Sequence, residues 1–264
     1  MLTFFTLLAV ACYLIATGMQ WQILQNSRPQ SQTTKWLGAI GWLSHTLCLY
    51  LQLHHQGGLD LGLFNVASLI GWLVAGMVLL SSLRQPIDNL YLGVFPMAAA
   101  TALVDLLIPE SGAAKPYSAG VISHILLSIL AYSIFTIAVL QSLLLQQQER
   151  ALKHHHTRGL VATLPPLQTM EQLLFEMLGT GLALLTGALL TGFLFFEDFF
   201  AQHLLHKTVL SLIAWVLYAV LLAGRTLFGW RSRTAVRWTI GGFATLALAF
   251  FGSKIVLELF LRSQ

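Results

Sequence analysis

The sequence predicts an all-α fold: a polytopic membrane protein, a bundle of about eight transmembrane helices that form one integral membrane domain over residues 1–264. Hydrophobic residues make up 56% of the chain and charged residues only 9%, against about 25% charged residues in an ordinary soluble domain. The apolar residues gather in runs of about 18 or more, long enough to cross a hydrocarbon core about 30 Å thick as helices. These observations exclude a soluble globular protein.

Four apolar runs lie in the first half of the chain, at about residues 2–22, 36–53, 62–83 and 89–108. The first run has no basic residue ahead of its apolar core and no convincing small-residue cleavage site. It is therefore predicted as a retained transmembrane helix and not as a signal peptide. A polar linker, QNSRPQSQTTK, separates the first run from the second.

Four further runs lie in the second half, at about residues 124–144, 173–196, 208–224 and 238–260. The longest polar segment, about residues 146–172, lies between the first two of these runs and is predicted as a cytoplasmic loop. Three consecutive histidines in this segment, His154 to His156, are flanked by basic residues. Because of these basic neighbours we interpret them as residues of a solvated cytoplasmic loop. Trace metal binding by such a tract would not define the function.

Basic residues cluster in the linkers that follow helices one, three, five and seven. These linkers hold Arg28, Lys35, Arg84, Arg150, Lys153, Arg158, Arg225, Arg231, Arg233 and Arg237. The basic residues assigned to the other side are Lys115, Lys207 and Arg262, with Lys254 near the end of helix eight. Because basic loops resist translocation, both termini are predicted to lie on the outer, periplasmic side of a bacterial inner membrane.

The sequence lacks the motifs of common enzyme classes. It has no recognisable pairing of a nucleophile with a base, no phosphate-binding glycine loop and no HExxH zinc motif. Cys12 and Cys48 lie inside apolar runs without CxxC spacing, so neither a disulfide framework nor a thiol redox pair is indicated. We therefore predict that the protein is not an enzyme and has no nucleic-acid partner.

The fifth run opens with a histidine and carries two hydroxyl groups on the same face. His124, Ser128 and Tyr132 follow one another at a spacing of four residues, so their side chains point the same way from a helix. A histidine inside a membrane-spanning helix costs free energy and marks a functional site by default. His124 is therefore the first candidate for binding a ligand.

The remaining histidines lie mostly toward the outer side of the predicted topology. His45 is nine residues into the second run, about 13 Å along a helix and so near the middle of the membrane. His54, His55, His203 and His206 fall in outer loops or at helix ends. Imidazole ligates haem iron and transition metals, so this distribution suits a haem or a metal at the outer leaflet. For His45, a hydrogen bond to a neighbouring helix is the alternative.

A metal site is a separate hypothesis for the outer segment between helices six and seven. His203 and His206 are three residues apart and follow Glu197 and Asp198. On a helix this spacing offers two imidazoles to one metal ion. Solvated residues at the membrane interface remain an alternative for all four.

Three stretches resemble segments of one family. The first is HILLSILAYSIFTIAVLQSLL, from His124, and the second is QGGLDLGLFNVASLIGWL, residues 56–73. The third joins KTVLSLIAWVLYAVLL to GWRSRTAVRWTIGGFATLALAFFGSKIV. Together they resemble, in order, the histidine-bearing helix, the segment that enters a span from an outer loop and the two closing helices of cytochrome c assembly proteins of the CcsA, CcmC and HemX type. The resemblance covers most of the chain and is greatest for the YpjD subgroup.

The resemblance implies haem handling in the inner membrane. Full members of the family hold haem at the outer face on histidine pairs and deliver it to apocytochrome c. For this chain it implies a non-covalent, b-type haem, with axial ligands among His45, His124 and, near the outer start of helix seven, His206. The side chains expected to orient these imidazoles are Ser128, Tyr132 and Gln52.

One departure from the family favours a second hypothesis. Family members carry a tryptophan-rich outer loop, the WWD motif, where this chain has FFEDFFAQHLLHK. Four phenylalanines there offer an aromatic wall, but the loop contains no tryptophan and so lacks the surface with which the family presents haem to an apocytochrome. The alternative is an accessory or regulatory subunit of another membrane protein, for example of a CorB or CorC type divalent metal transporter, that keeps the fold without the haem task.

Overall fold

The computed structural model describes residues 1–26, 31–53, 62–108, 117–154, 164–195 and 202–252. In the second range the side chains are described only up to residue 52, and in the last range only from residue 206 onward. The regular secondary structure in these ranges is entirely helical. Its long helices are α1 (Leu2–Gln25), α2 (Gln32–Leu53), α3 (Leu63–Ser81), α4 (Tyr91–Leu107), α5 (Ala119–Lys153), α6 (Leu167–Phe195), α7 (Gln202–Phe228) and α8 (Ser232–Ala247). A π-helical turn, Leu248–Gly252, continues α8.

The prediction of a polytopic helical membrane protein is confirmed. Within the described residues, seven helices are long and apolar enough to cross a membrane. The remaining long helix, α2, has 22 residues, which is also enough to span about 30 Å. Its lower hydropathy comes from polar residues such as Ser44, His45 and Thr46. The side of the membrane on which each terminus lies stays a prediction.

The largest difference from the predicted helix ends is at α5. This helix has 35 residues, about 52 Å at 1.5 Å per residue, and so is longer than the hydrocarbon core is thick. It continues through residues 146–153, and α6 begins at Leu167, although both stretches were predicted as loop. Hydropathy marks where a helix leaves the lipid, whereas the sequence QQQERALK is rich in helix-forming residues and continues the helix beyond it.

The chain divides into two compact units. The first comprises Met1–Pro116 with Gln147–Leu167, and the second comprises Tyr117–Gln146 with Gln168–Gln264. Helices α1 to α4 therefore belong to the first unit. Most of α5, together with α6 to α8, belongs to the second.

Aromatic rings form the centre of the first unit. In this unit α1 packs against α2 and α4, and α3 packs against α4 and α2. Phe95 of α4 stacks on Tyr13 of α1, with 5.5 Å between ring centroids, and on Tyr91, with 4.7 Å. The Phe95 ring also lies directly against Gly38 of α2, where any larger side chain would overlap it. Glycine is thus what lets α2 and α4 approach closely.

A second aromatic stack joins the helices of the second unit. Phe135 of α5 and Tyr218 of α7 are fully buried and stack with 4.0 Å between centroids and an interplanar angle of 3°. Gly181 of α6 lies against the Phe135 ring, and Gly242 of α8 lies against the Tyr218 ring. All four helices of this unit therefore meet at one pair of rings, about three turns along α5 from His124.

Candidate functional site

His124 is held by a backbone atom of the neighbouring helix. Its Nδ1 lies 2.6 Å from the carbonyl oxygen of Ala188 in α6. A carbonyl oxygen can only accept a hydrogen bond, so Nδ1 carries the proton, and in the neutral imidazole the lone pair is then on Nε2. Histidines that ligate metals are typically held in this way, with one ring nitrogen donating to a carbonyl and the other coordinating the metal.

Small residues on α6 bring its backbone within reach of the imidazole. Gly187 faces Leu127 of α5, where an added Cβ would lie 3.3 Å from a methyl carbon of that leucine. The next residue, Ala188, is almost completely buried. Small residues at a helix–helix contact in a membrane allow the backbones to approach closely, and here they place a carbonyl beside the ring of His124.

The same histidine lines a cavity of about 140 Å³ in the second unit. We call this the His124 cavity. The polar residues around it are Ser128, Tyr132, Lys207 and Ser211, and the apolar ones are Leu185, Ala188, Leu189, Leu246, Ala249 and Phe250. The cavity thus combines a nitrogen ligand, hydroxyl groups and one cationic side chain within a mainly apolar wall.

Tyr132 supplies an aromatic and polar part of this wall. Its ring lies 5.4 Å from that of Phe243, 6.0 Å from that of Phe250 and 5.9 Å from that of Phe251, measured between centroids. Its hydroxyl is buried and has no hydrogen-bond partner among the described residues. A buried hydroxyl without a partner is costly, so a ligand or water in the cavity that bonded to it would be stabilised.

Ser128 was expected to orient the imidazole, but its hydroxyl has a different partner. It donates to the backbone carbonyl of His124, one turn earlier in the same helix, at 2.7 Å. The contact that orients the ring is made instead by the Ala188 carbonyl. Sequence reasoning missed this contact because a backbone carbonyl has no signature in the side-chain pattern.

Lys207 lines the His124 cavity, whereas the sequence analysis had chosen its neighbour His206 as a candidate haem ligand. The side chain of His206 is exposed near the start of α7 and is not among the residues that line the His124 cavity. Lys207, one position later, does line it. Lys207 directly follows the candidate ligand His206 in the sequence, and this neighbourhood could have pointed to it. In the sequence analysis, Lys207 was instead used only to predict topology. Haem ligation by His206 stays a prediction.

His45 lies in the first unit and is packed between helices. Only 1% of its surface is exposed, and its Nε2 lies 3.0 Å from the Ser68 hydroxyl of α3. This is the helix-to-helix hydrogen bond that the alternative interpretation predicts. Its Nδ1 has no hydrogen-bond partner among the described residues, and its ring is edge-on to Tyr13 at 6.1 Å. A role as an axial ligand stays a prediction for His45.

The predicted metal site lies mainly outside the described part of the chain. Glu197 and Asp198 are not among the described residues, and neither is the side chain of His203. Within the described residues, no three His, Cys, Asp or Glu side chains are grouped so that they could hold a metal ion. The hypothesis of a metal site at Glu197, Asp198, His203 and His206 therefore stays a prediction.

The His124 cavity fits the donor chemistry of a haem site but does not enclose a macrocycle. The tautomer fixed by the Ala188 carbonyl leaves a lone pair on Nε2, the kind of donor that haem iron accepts. However, the volume of about 140 Å³ is below the roughly 300–1,000 Å³ of pockets that enclose drug-sized ligands. A porphyrin ligated by His124 would therefore extend beyond this cavity.

Comparison with known proteins gives a consistent result over nearly the whole chain. The sequence model of a family described as cytochrome C assembly protein matches residues 31–261. The inner membrane protein YpjD of Escherichia coli K12 is 30% identical over 263 residues, 97% of this chain and 98% of its own length. An uncharacterized 28.8 kDa protein of Azospirillum brasilense is 34% identical over 140 residues, 52% of each chain. No solved structure matches the chain.

Proposed function

We propose, from the premise that this chain belongs to the cytochrome c assembly protein family, that it binds haem non-covalently and uses His124 as an axial ligand. The chain is a multi-pass inner membrane protein, in keeping with its membrane-spanning helices and its relatives. The proposed activity is binding and handling of haem, without catalysis.

The observation that carries this proposal is the hydrogen bond between His124 and Ala188. A lone histidine that only joins two helices could present either ring nitrogen to its partner. Here the carbonyl acceptor fixes the proton on Nδ1 and leaves the lone pair on the nitrogen that most often ligates metals. The bond to the carbonyl also fixes the orientation of the imidazole plane.

The other residues of the cavity have roles that follow from their chemistry. When bound, haem supplies an iron that accepts a nitrogen lone pair and two propionates that carry negative charge. Lys207 would pair with a propionate, and the Tyr132 hydroxyl would gain the hydrogen-bond partner that it lacks among the described residues. The ring of Phe250, which lines the cavity, would provide apolar contact with the porphyrin.

Delivery of haem to apocytochrome c is not part of the proposal. The segment from Phe195 to Lys207 contains no tryptophan, whereas the WWD loop of the family is rich in it. The chain therefore lacks the side chains that present haem in full family members, and we limit the proposal to binding within the membrane.

The test is the visible spectrum of the protein purified in mild detergent after expression with haem available. We expect a Soret band at a stoichiometry near one haem per chain, and its loss in His124→Ala. Free imidazole should restore the band in this variant by filling the place of the missing side chain, an effect that a purely structural role would not produce. The control variant is His154→Ala, at the exposed end of α5.

Two results would contradict the proposal. One is a colourless wild-type protein, and the other is a Soret band that His124→Ala leaves unchanged. Either result would leave an accessory subunit of another membrane protein as the better account. The variant His45→Ala, measured alongside, reports independently whether the second candidate histidine contributes to the spectrum.

A further inference from the structure

The first unit contains a groove that the proposed haem site does not use. It lies between the first half of α2 and the last half of α3 and has a volume of about 550 Å³, within the range of pockets that hold small molecules. We call it the α2/α3 groove, defined by Gln32 to Trp42 on one side and Trp72 to Leu83 on the other. Its lining is almost entirely apolar, with Gln32 and Lys35 as the polar exceptions.

Two stacked tryptophans line the groove at the end away from Gln32 and Lys35. Trp42 and Trp72 lie parallel, with 5.3 Å between ring centroids and an interplanar angle of 9°. The indole N–H of Trp42 donates to the Trp72 carbonyl at 3.1 Å, and that of Trp72 donates to the Thr46 hydroxyl at 2.8 Å. Both polar atoms are therefore satisfied within the protein, and the rings present apolar surface to the groove.

The length of the groove matches the depth of one leaflet of a bilayer. From Gln32 to Trp42 a helix rises about 15 Å, which is half of a hydrocarbon core about 30 Å thick. The groove thus runs from the end of the two helices to about the middle of the membrane. It is flanked by side chains that are largely exposed on the surface of the unit, Trp36 and Leu80, each 70% exposed.

The end of the groove at Lys35 and Arg84 carries a net positive charge. The Lys35 Nζ lies 3.0 Å from Asp88 Oδ1 and donates to the Ser82 carbonyl at 3.1 Å. An ammonium group has three donors, so one remains beyond these two contacts. Arg84 is exposed, one residue after the lining residue Leu83. Two cations and one carboxylate at this end leave a charge of about +1 for an anionic group.

We infer that the α2/α3 groove binds one acyl chain of an anionic phospholipid, with the phosphate beside Lys35 and Arg84. The apolar lining and the one-leaflet length fit a single acyl chain that enters from the lipid. The positively charged end of the groove, at Lys35 and Arg84, fits a headgroup with a net negative charge better than a zwitterionic headgroup. This inference concerns the first unit and does not depend on haem binding at His124.

The test is native mass spectrometry of the full chain, delipidated in detergent and then titrated with phosphatidylglycerol or phosphatidylethanolamine. The wild-type protein should retain one phosphatidylglycerol with clear preference over phosphatidylethanolamine. Ala39→Phe places a ring in the groove and should abolish retention. Ala11→Phe, on an exposed part of α1, makes the same change outside the groove and should leave retention unchanged.

A charge variant tests the headgroup separately. Arg84→Gln should weaken phosphatidylglycerol binding by about fivefold, the factor expected for one basic residue near an anionic lipid headgroup, without changing phosphatidylethanolamine binding. Equal retention of the two lipids by the wild-type protein would overturn the inference, as would retention that Ala39→Phe does not affect. Circular dichroism confirms that each variant keeps its helical content. Lys35 is left intact, because its removal would leave the buried Asp88 without its cation.

Discussion

At the scale of single residues, an ion pair in the second unit shows what sequence reasoning did not identify. Arg225 had been assigned to a basic linker that sets topology. In the structure its guanidinium lies 2.7 Å from Glu171 Oε1 and 4.7 Å from the centroid of the Phe175 ring. Arg231 approaches the same carboxylate oxygen at 3.5 Å. Glu171 is nearly buried, so its charge is stabilised mainly by these two arginines.

Removal of this carboxylate should destabilise the protein strongly. We expect Glu171→Gln to lower the free energy of unfolding by about 2 kcal/mol, the scale of a hydrogen bond to a charged group, because the two arginines that lose their carboxylate are partly exposed. The measurement is thermal or denaturant unfolding in detergent. Glu176→Gln, at an exposed position of the same helix, is the control and should change stability little. A double variant with Arg225→Gln should recover part of the loss, and equal effects of the two single glutamate variants would refute the assignment.

The residues that the sequence analysis identified differ from those it missed in how visible they are in the sequence. His124 stands out because a histidine in an apolar run is chemically unusual. Glu171 and Arg225 are 54 residues apart, and a pattern along one helix cannot show that two such residues meet. The Ala188 carbonyl has no side-chain signal at all. The candidate ligand was therefore predictable, whereas its partners required the arrangement of α5, α6 and α7.

At the scale of helices, glycine positions decide how closely neighbouring elements pack. Two glycines of α6, Gly179 and Gly181, are only two residues apart but face different surroundings. A Cβ at Gly181 would lie 2.7 Å from the Phe135 ring, whereas one at Gly179 would meet nothing within 4 Å. The same substitution should therefore have opposite effects at the two positions.

We expect Gly181→Ala to destabilise the protein by about 1–3 kcal/mol, because the added methyl group displaces a ring that stacks on Tyr218. Gly179→Ala should instead stabilise it by up to about 1 kcal/mol, since alanine favours the helix over glycine. Unfolding midpoints of the two variants in the same detergent provide the comparison. Destabilisation of similar size at both positions would show that α6 does not pack against Phe135 in this way.

The helices themselves were predictable from hydropathy, but their ends were less so. Each of the eight predicted runs corresponds to a helix, because a segment of about 20 apolar residues in lipid must satisfy its backbone internally. The ends of α5 and α6 differ because hydropathy does not report helix propensity outside the lipid. Pairing between helices, such as α2 with α3 at Trp42 and Trp72, depends on side-chain packing that one-dimensional patterns do not contain.

At the scale of the whole molecule, the two ends of α5 test the predicted orientation. Ser118 precedes the helix and is exposed, and His154 follows it and is also exposed. The distribution of basic residues predicts that Ser118 lies on the periplasmic side and His154 on the cytoplasmic side. The native cysteines, Cys12 and Cys48, are buried, so an introduced thiol can be labelled selectively.

In intact cells, Ser118→Cys should react with a maleimide that cannot cross the inner membrane but reaches the periplasm. His154→Cys should react only after the inner membrane is permeabilised. The wild-type protein serves as the control for reaction of the buried cysteines. The reverse labelling pattern would show that the chain has the opposite orientation, with both termini in the cytoplasm.

The atom that orients His124 belongs to the main chain, and this has a consequence for genetics. A substitution at position 188 changes the packing of α6 but cannot remove the carbonyl oxygen, so a mutational scan would identify His124 as sensitive without isolating the group that aligns it. An ester at the bond before Ala188 would not test the contact, because it removes the N–H of Ala188 and leaves the carbonyl of Ala188 in an amide. An ester at the bond after Ala188 makes the carbonyl of Ala188 a weaker hydrogen-bond acceptor. This backbone substitution therefore tests a contact that no change of amino acid can remove.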